Sequence, residues 1–192
     1  MLKKVDIHSD RQVARQVKKL YLSAFPKEEQ IPWPVLYWNT KRKDLHFIAF
    51  IDGNLLCGFT IFATVENLCY IFFFAVEETL RGQGYGSRIL ADLHTEYGTL
   101  GLNIEPLDPA ADNYAQRKMR FAFYGKNGFF DTEHNVWEVG GKFCILSTQK
   151  NLPMIQVQKA FSKLTAGLWH VKIRPSSGAQ FPESHGTGGS HI

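Results

Sequence analysis

Phe72-Phe73-Phe74-Ala75-Val76-Glu77-Glu78-Thr79-Leu80-Arg81-Gly82-Gln83-Gly84-Tyr85-Gly86-Ser87 is the stretch whose reading decides the fold. It opens as a buried strand, passes through a glycine-rich turn and enters a helix. Such a turn leaves backbone N–H groups unpaired at the helix N-terminus. Together with the positive end of the helix dipole, those groups favour a phosphate or pyrophosphate.

Two familiar phosphate-binding patterns fail here. A P-loop requires G-x-x-x-x-G-K-[ST], and no Lys-Ser or Lys-Thr pair follows these glycines. The dinucleotide fingerprint requires G-x-G-x-x-G, but Gly82, Gly84 and Gly86 alternate and Ser87 stands where the last glycine should be. That fingerprint also follows the first strand of a βαβ unit, whereas this turn lies near mid-chain and closes an antiparallel meander.

Upstream, Val5-Asp6-Ile7 reads as a short strand. Ser9 and Gln12 have the spacing of a capping box. Val13, Val17, Leu20, Tyr21 and Ala24 recur at helical spacing and predict a helix over 10–24, stopped by Pro26. The stretch from Phe25 to Trp38 is broken by Pro26, Pro32 and Pro34 and loaded with Phe25, Trp33, Tyr37 and Trp38, with Glu28 and Glu29 between. A short helix is expected near 32–40. Rings beside carboxylates suit a pocket that accepts a cation; rings packed on a sheet are the other reading, and both stay open. Residues 46–51 and 55–65 make a hairpin around Asp52-Gly53-Asn54. Leu68 to Ala75 is apolar almost throughout, as in a central strand covered on both faces.

Downstream, a helix over 84–97 buries Ile89, Leu90, Leu93, His94 and Tyr97 and is capped by Gly98. Leu100 to Ile104 is the next strand. A further helix, capped by Asp112 or Asn113, runs to Lys126 with Ala115, Met119, Ala122 and Phe123 expected inward. Residues 129–132 and 136–146 close the sheet around a turn at Glu133-His134-Asn135, with a bulge or bend at Gly140-Gly141. Met154, Val157, Phe161, Leu164 and Leu168 mark a last helix over 153–167. Trp169 to Ile173 is expected extended, and from Ser176 the composition turns to Gly, Ser, Pro and His, as in a flexible tail. The division expected is 1–147 as the main domain, 148–175 as a helical and extended appendage and 176–192 as tail. The order β-α-(α)-β-β-β-α-β-α-β-β describes a mixed α/β fold, with helices on the faces of a mostly antiparallel sheet.

Composition narrows the class. The chain has 192 residues, 44% hydrophobic and 21% charged, as in an ordinary soluble globular protein. A net charge of +4 is too mild to argue for nucleic acid. Lys41-Arg42-Lys43 reads as a solvated loop. Cys57, Cys69 and Cys144 form no CxxC pair and read as buried thiols in a reducing compartment. No signal peptide is evident, and the apolar run from Leu68 falls short of the roughly 20 residues that span a membrane. A cytoplasmic protein without membrane association is expected. The seven His residues show no metal-ligand spacing, so no metal is expected.

Arg81-Gly82-Gln83-Gly84-Tyr85-Gly86 matches [RQ]-x-x-G-x-[GA], and in it the chain resembles the GNAT superfamily of N-acetyltransferases. Three further features agree. The apolar strand ends at Ala75-Val76, four residues before Arg81. Asn113 opens a later helix. Phe123-Tyr124-Gly125-Lys126-Asn127-Gly128-Phe129 resembles the F-Y-x-x-x-G-F signature, with Gly125 where Glu is common. The resemblance covers about residues 2–147.

It implies a sheet of about six to seven strands, splayed at its centre and flanked by about four helices. It also implies acetyl transfer from acetyl-CoA to a primary amine by direct attack in a ternary complex. Phe74, Ala75, Val76, Arg81, Gly82, Gln83, Gly84, Tyr85, Gly86, Ser87, Asn113 and Tyr124 would then hold the cofactor. A backbone N–H near Val76 would polarise the thioester, and Tyr124 would protonate the leaving thiolate. Glu105, or less favourably Glu77 or Glu78, would accept the amine proton. Phe25, Glu28, Glu29 and Trp33 are the candidates for the acceptor pocket. The acceptor is a small-molecule or peptide amine, and monomer and homodimer are equally compatible with the sequence. A non-catalytic acyl-CoA-binding module is the alternative.

Overall fold

The structure, a computed structural model, describes residues 2–138, 141–167 and 171–176. Gly140, Leu168, Trp169, His170 and the polar tail beyond Ser176 lie outside the described residues. Along the chain run β1 (Lys3–Asp6), α1 (Arg11–Ala24), a 3₁₀ turn (Lys27–Glu29), α2 (Trp33–Asn39), β2 (Leu45–Asp52), β3 (Leu55–Val65), β4 (Leu68–Val76) and a second 3₁₀ turn (Glu78–Leu80). They are followed by α3 (Tyr85–Tyr97), β5 (Thr99–Ile104), α4 (Tyr114–Lys126), β6 (Phe130–Glu138), β7 (Gly141–Ser147), α5 (Met154–Leu164) and β8 (Lys172–Pro175). The strands form one sheet in the order β1-β2-β3-β4-β5-β7-β6-β8. Among the described strands only β4 and β5 pair in parallel. The mixed α/β architecture is as expected, with eight strands and five helices described in place of the smaller counts.

The centre of the sheet is irregular for a definable reason. Ile61 of β3 faces Phe73 and Phe62 faces Ile71, so Phe72 is an extra residue in β4. Such a bulge bends its strand and resets the in–out alternation. Ile71 packs with the core that α3 and α4 cover, whereas Phe73 packs with the core beneath α1 and α2. Pairing of β4 with β5 covers Leu68–Ile71 against Thr99–Leu102 and stops where the bulge begins. From Phe72 to Val76 the edge of β4 that would face β5 has no strand partner among the described residues.

Each helix buries the stripe its sequence dictates. Val13, Val17, Leu20 and Tyr21 of α1 are buried. The cap of α1 is Asp10, whose carboxylate accepts from the Gln12 and Val13 amides at 2.8 and 3.1 Å. Ser9 instead donates its hydroxyl to the Asp6 carbonyl, so the capping-box reading is corrected by one residue. In α4 the inward face is Phe121 and Tyr124, while Ala115, Met119 and Ala122 are exposed and Phe123 is half-buried. The apolar residues of α4 therefore misplace its phase, because the face turned to the sheet also carries Asn113 and Arg117, two polar side chains with partners there.

The β6–β7 pair reverses between Glu138 and Gly141. Glu133, at φ 57°, lies where the pairing skips from Asp131 to Asn135, so the expected turn there is an irregularity inside β6. Helix α5 packs Val157, Ala160, Phe161 and Leu164 against Tyr70, Val136 and Ile145, and β8 pairs with β6 at the sheet edge. Cys57, Cys69 and Cys144 are buried and unbridged, and burial raises each thiol pKa above its ordinary value. The rings of Phe25 and Trp33 pack on Tyr21, and Phe25 also reaches Phe73, which puts both partly into the core.

Gly58 sits opposite Val76 at the end of the β3–β4 pair. A Cβ added there would lie 2.4 Å from the Ala75 carbonyl oxygen, a backbone atom that cannot rotate away. Gly58→Ala is expected to destabilise the fold by roughly 1–3 kcal/mol, the ordinary range for overpacking. Urea unfolding of the two proteins checks this; equal midpoints would show that β3 and β4 separate without cost.

Candidate active site

The bulge and the glycine turn together set an unpaired strand edge beside a helix N-terminus. Past the bulge, β4 ends at Val76, and the second 3₁₀ turn brings the chain to Arg81, anchored by buried Leu80. Gly82 and Gly84 have φ of 79° and 82°, the left-handed region that glycine enters freely. Gly84 caps α3 with no side-chain hydrogen bond. The Gln83 amide donates to the Leu80 carbonyl at 3.3 Å, and the Arg88 amide to the Gly84 carbonyl at 3.0 Å. Between them, the amides of Gly84, Tyr85, Gly86 and Ser87 have no partner among the described residues. Four adjacent donors at the positive end of a 13-residue helix form an anion cradle. Gln83 contributes its side chain to the turn, donating to the Thr79 carbonyl at 2.9 Å.

The turn is also braced from outside. The Arg81 Nε donates to the Val76 carbonyl at 3.4 Å. The Tyr85 hydroxyl donates to Asp52 at 3.0 Å, and Arg88 lies over the Tyr85 ring. At Gly86 a Cβ would meet the Phe123 ring at 3.0 Å, so the missing side chain lets α4 close on α3. Phe123 in turn lies nearly parallel to Phe74, with centroids 6.4 Å apart. Phe74, Val76, Gly86 and Phe123 thus form one wall beside the open edge of β4, while Ala75 is buried toward the opposite face.

Tyr124 is buried beside Phe123 and Phe129. Its hydroxyl makes no hydrogen bond among the described residues. Burial pushes its pKa up to about 12, against a weaker pull downward from Arg120. It therefore keeps its proton throughout the neutral range, as a donor must. Since an ordinary thiol titrates at about 8.5, full proton transfer to a thiolate would be uphill, and a donated hydrogen bond is the stronger part of what this phenol offers.

On the other side of the gap two carboxylates stand in opposite settings. Glu105, just after β5, accepts from Arg117 at 3.0 Å, from Asn113 Nδ2 at 3.0 Å and from Arg120. Asn113 also accepts from Arg117, and so spends its side chain here instead of capping α4. Both oxygens of Glu105 are engaged, an arrangement suited to anchoring α4. Glu77 and Glu78 lie at the start of the second 3₁₀ turn, beside the glycine turn.

Glu138, at the end of β6, has no ion pair among the described residues. Its carboxylate accepts from Asn103 Nδ2, and Asn103 accepts from the buried Tyr70 hydroxyl at 3.3 Å. Asn103 lies one residue beyond the last β5 residue paired to β4, at the mouth of the gap. Burial raises the Glu138 carboxyl to about 7; proximity of Glu29 adds to the rise and the Asn103 bond opposes it. Glu29, half-buried in the first 3₁₀ turn, is itself raised, first by burial and then by Glu105, with Arg120 and Arg117 pulling the other way. Glu28 is exposed.

Of the residues singled out in the sequence, Phe74, Val76, Gly82–Ser87 and Tyr124 gather on the side of the anion cradle, and Glu29, Glu105 and Asn113 on the other. Asn103, Arg117, Arg120 and Glu138 were not singled out. Arg117 and Arg120 had a local signal, a polar stripe at helical spacing with Asn113. Glu138 had none, because its setting is made by β5 and the 3₁₀ turn.

The profile of the acetyltransferase (GNAT) family matches residues 14–129, and the chain belongs to that family. No curated protein sequence matches it. Among solved structures, a protein from Bacteroides thetaiotaomicron assigned to the GNAT family of acetyltransferases superposes with a TM-score of 0.67 at 22% identity, over 88% of this chain and 99% of that one. An aminoglycoside 6'-N-acetyltransferase complexed with coenzyme A gives 0.63 at 17% identity, over 80% and 98%. The ribosomal-protein-S18-alanine N-acetyltransferase of Escherichia coli gives 0.51 at 18%, over 80% and 99%. At these identities the likeness shows the fold, and family membership supports acyl transfer from acetyl-CoA.

Glu105→Gln separates anchoring from catalysis. The substitution keeps the shape but weakens two charge-assisted bonds, so stability should fall by roughly 1–3 kcal/mol, at the low end because Arg120 is partly exposed. The pH profile of turnover should stay in place; a displaced profile with unchanged unfolding would make Glu105 a proton acceptor after all.

Proposed function

We propose that this protein transfers the acetyl group of acetyl-CoA to a primary amine by direct attack within a ternary complex. The observation that carries this reading is the gap between β4 and β5. It opens where the cradle at Gly84–Ser87 would present a thioester along the unpaired edge of β4. A backbone N–H of that edge near Val76 would hydrogen-bond the thioester oxygen as it gains charge. Asn113 has no role toward the cofactor in this reading, since its amide is occupied by Glu105 and Arg117.

The chemistry then needs no covalent enzyme intermediate. The three buried thiols, whose pKa values are raised, are poor nucleophiles. The amine nitrogen bonds to the carbonyl carbon, the carbon–sulfur bond breaks, and the sulfur receives a proton or hydrogen bond from Tyr124. The acceptor enters from the side of the 3₁₀ turn at Lys27–Glu29, where Glu29 offers negative charge to a cationic amine and Phe25 and Trp33 support the wall behind it.

Thiol release from acetyl-CoA, followed across a panel of diamines, aminoglycosides and peptides with free amino groups, tests the proposal. Initial rates should give intersecting double-reciprocal lines, the pattern of a ternary complex; parallel lines would mean an acyl-enzyme. Calorimetric binding of acetyl-CoA with no turnover on any amine would favour a binding module. Tyr124→Phe should lower kcat by roughly 10²-fold, the low end for one proton donor, with little change in KM for acetyl-CoA. An unchanged kcat would remove Tyr124 from the chemistry.

A further inference from the structure

We infer that Glu138, held by Asn103 at the mouth of the β4–β5 gap, is the group that receives the proton of a cationic acceptor amine. The inference rests on the proposed acetyl transfer and deepens it by assigning the base and the charge of the acceptor.

Three observations converge on this residue. The first is position. Asn103 marks the end of β4–β5 pairing, and the Glu138 carboxylate is bonded to it from a strand two places away in the sheet. The second is orientation. The Tyr70 hydroxyl donates to Asn103 Oδ1, which leaves the Asn103 amide hydrogens to fix one Glu138 oxygen. The other oxygen has no partner among the described residues. The third is the charge around it. Its hydrogen-bond partner Asn103 is neutral, and Glu29 is near enough to raise its carboxyl further. No cation pairs with it among the described residues, whereas the arginines nearby are taken by Glu105. A carboxyl group with no cation of its own, and with a second acid near it, favours a bound cation.

The proton balance is complete. An ammonium acceptor gives one proton to the Glu138 carboxylate and becomes a neutral amine. Its nitrogen bonds to the thioester carbon and loses a second proton as the tetrahedral species collapses. The carbon–sulfur bond breaks and the thiolate, hydrogen-bonded by Tyr124, takes up that second proton. Glu138 returns its own to solvent. The net reaction turns an ammonium and acetyl-CoA into an amide, free CoA thiol and one released proton.

Since the carboxyl is raised to about 7 and the base must be ionised, kcat/KM for the amine should rise with pH through that region. Glu138→Gln preserves the shape and the Asn103 bond, and should lower kcat/KM roughly 10²–10⁴-fold and remove this limb. Binding of acetyl-CoA should be unchanged. Glu29→Gln should move the limb to lower pH, because it removes a like charge.

The direct test uses the whole protein with carboxyl-labelled glutamate and follows each side chain by NMR during a pH titration. One signal should titrate well above the others and vanish in Glu138→Gln. Adding putrescine or a lysine-containing peptide should lower its midpoint, as a cation beside a carboxylate must. A Glu138 signal that titrates in the ordinary carboxyl range, or a midpoint that neither probe moves, overturns the inference. If the midpoint shifts but no amine in the panel is acetylated, the cation receptor stands and the transferase reading fails. If amines are acetylated and Glu138→Gln keeps the limb and the rate, the transferase stands and this assignment fails.

Discussion

One extra residue in the central strand sets the rest of the architecture. With Phe72 bulged, β4 changes phase and direction at the point where its pairing with β5 ends. A strand edge in the middle of a sheet carries unmet hydrogen-bonding capacity, which a protein leaves open only where something else will use it. Both functional halves take their place from that opening. The helix-capping turn follows directly on the freed end of β4, and the carboxylates of the opposite side gather around the freed end of β5. Gly58, across from Val76, and Gly86, beneath Phe123, remove side chains at the two places where the backbone and helices must close tightly around the gap.

Electrostatics divide the opposite side into a structural and a reactive part. Glu105 collects Arg117, Arg120 and Asn113 and ties α4 to the end of β5. That tie fixes the helix carrying Phe123 and Tyr124, so it acts on the cofactor side through position. Glu138 receives only a neutral amide, and burial raises its carboxyl, with Glu29 adding to the rise. On the proposed reading, Glu105 organises the site and Glu138 reacts in it.

The parts legible in the sequence were those made by local patterns. The glycine turn, the buried stripe of α1, the β2–β3 hairpin and the apolar centre of β4 are each written in consecutive residues, and each lies where the pattern put it. The phase of α4 was misread because Arg117 and Asn113 face inward to meet Glu105, and an apolar period cannot register a polar side chain that finds a partner in a distant element. The reversal between Glu138 and Gly141 was hidden by Glu133-His134-Asn135, which has turn chemistry but sits at an irregularity inside β6. The bulge at Phe72 left no mark at all, since three consecutive Phe read the same in either phase. Glu105 drew attention as a carboxylate at a strand end, and Glu138 did not, although the difference between them lies wholly in their neighbours.

The account stands on acetyl-CoA lying with its pyrophosphate on the α3 cradle and its thioester along the open edge of β4. Backbone amide NMR during titration with acetyl-CoA tests that most directly. The account predicts that the largest shifts fall on Gly84, Tyr85, Gly86 and Ser87 and on the β4 residues from Phe74 to Val76. Saturable binding that leaves those amides unmoved would contradict it.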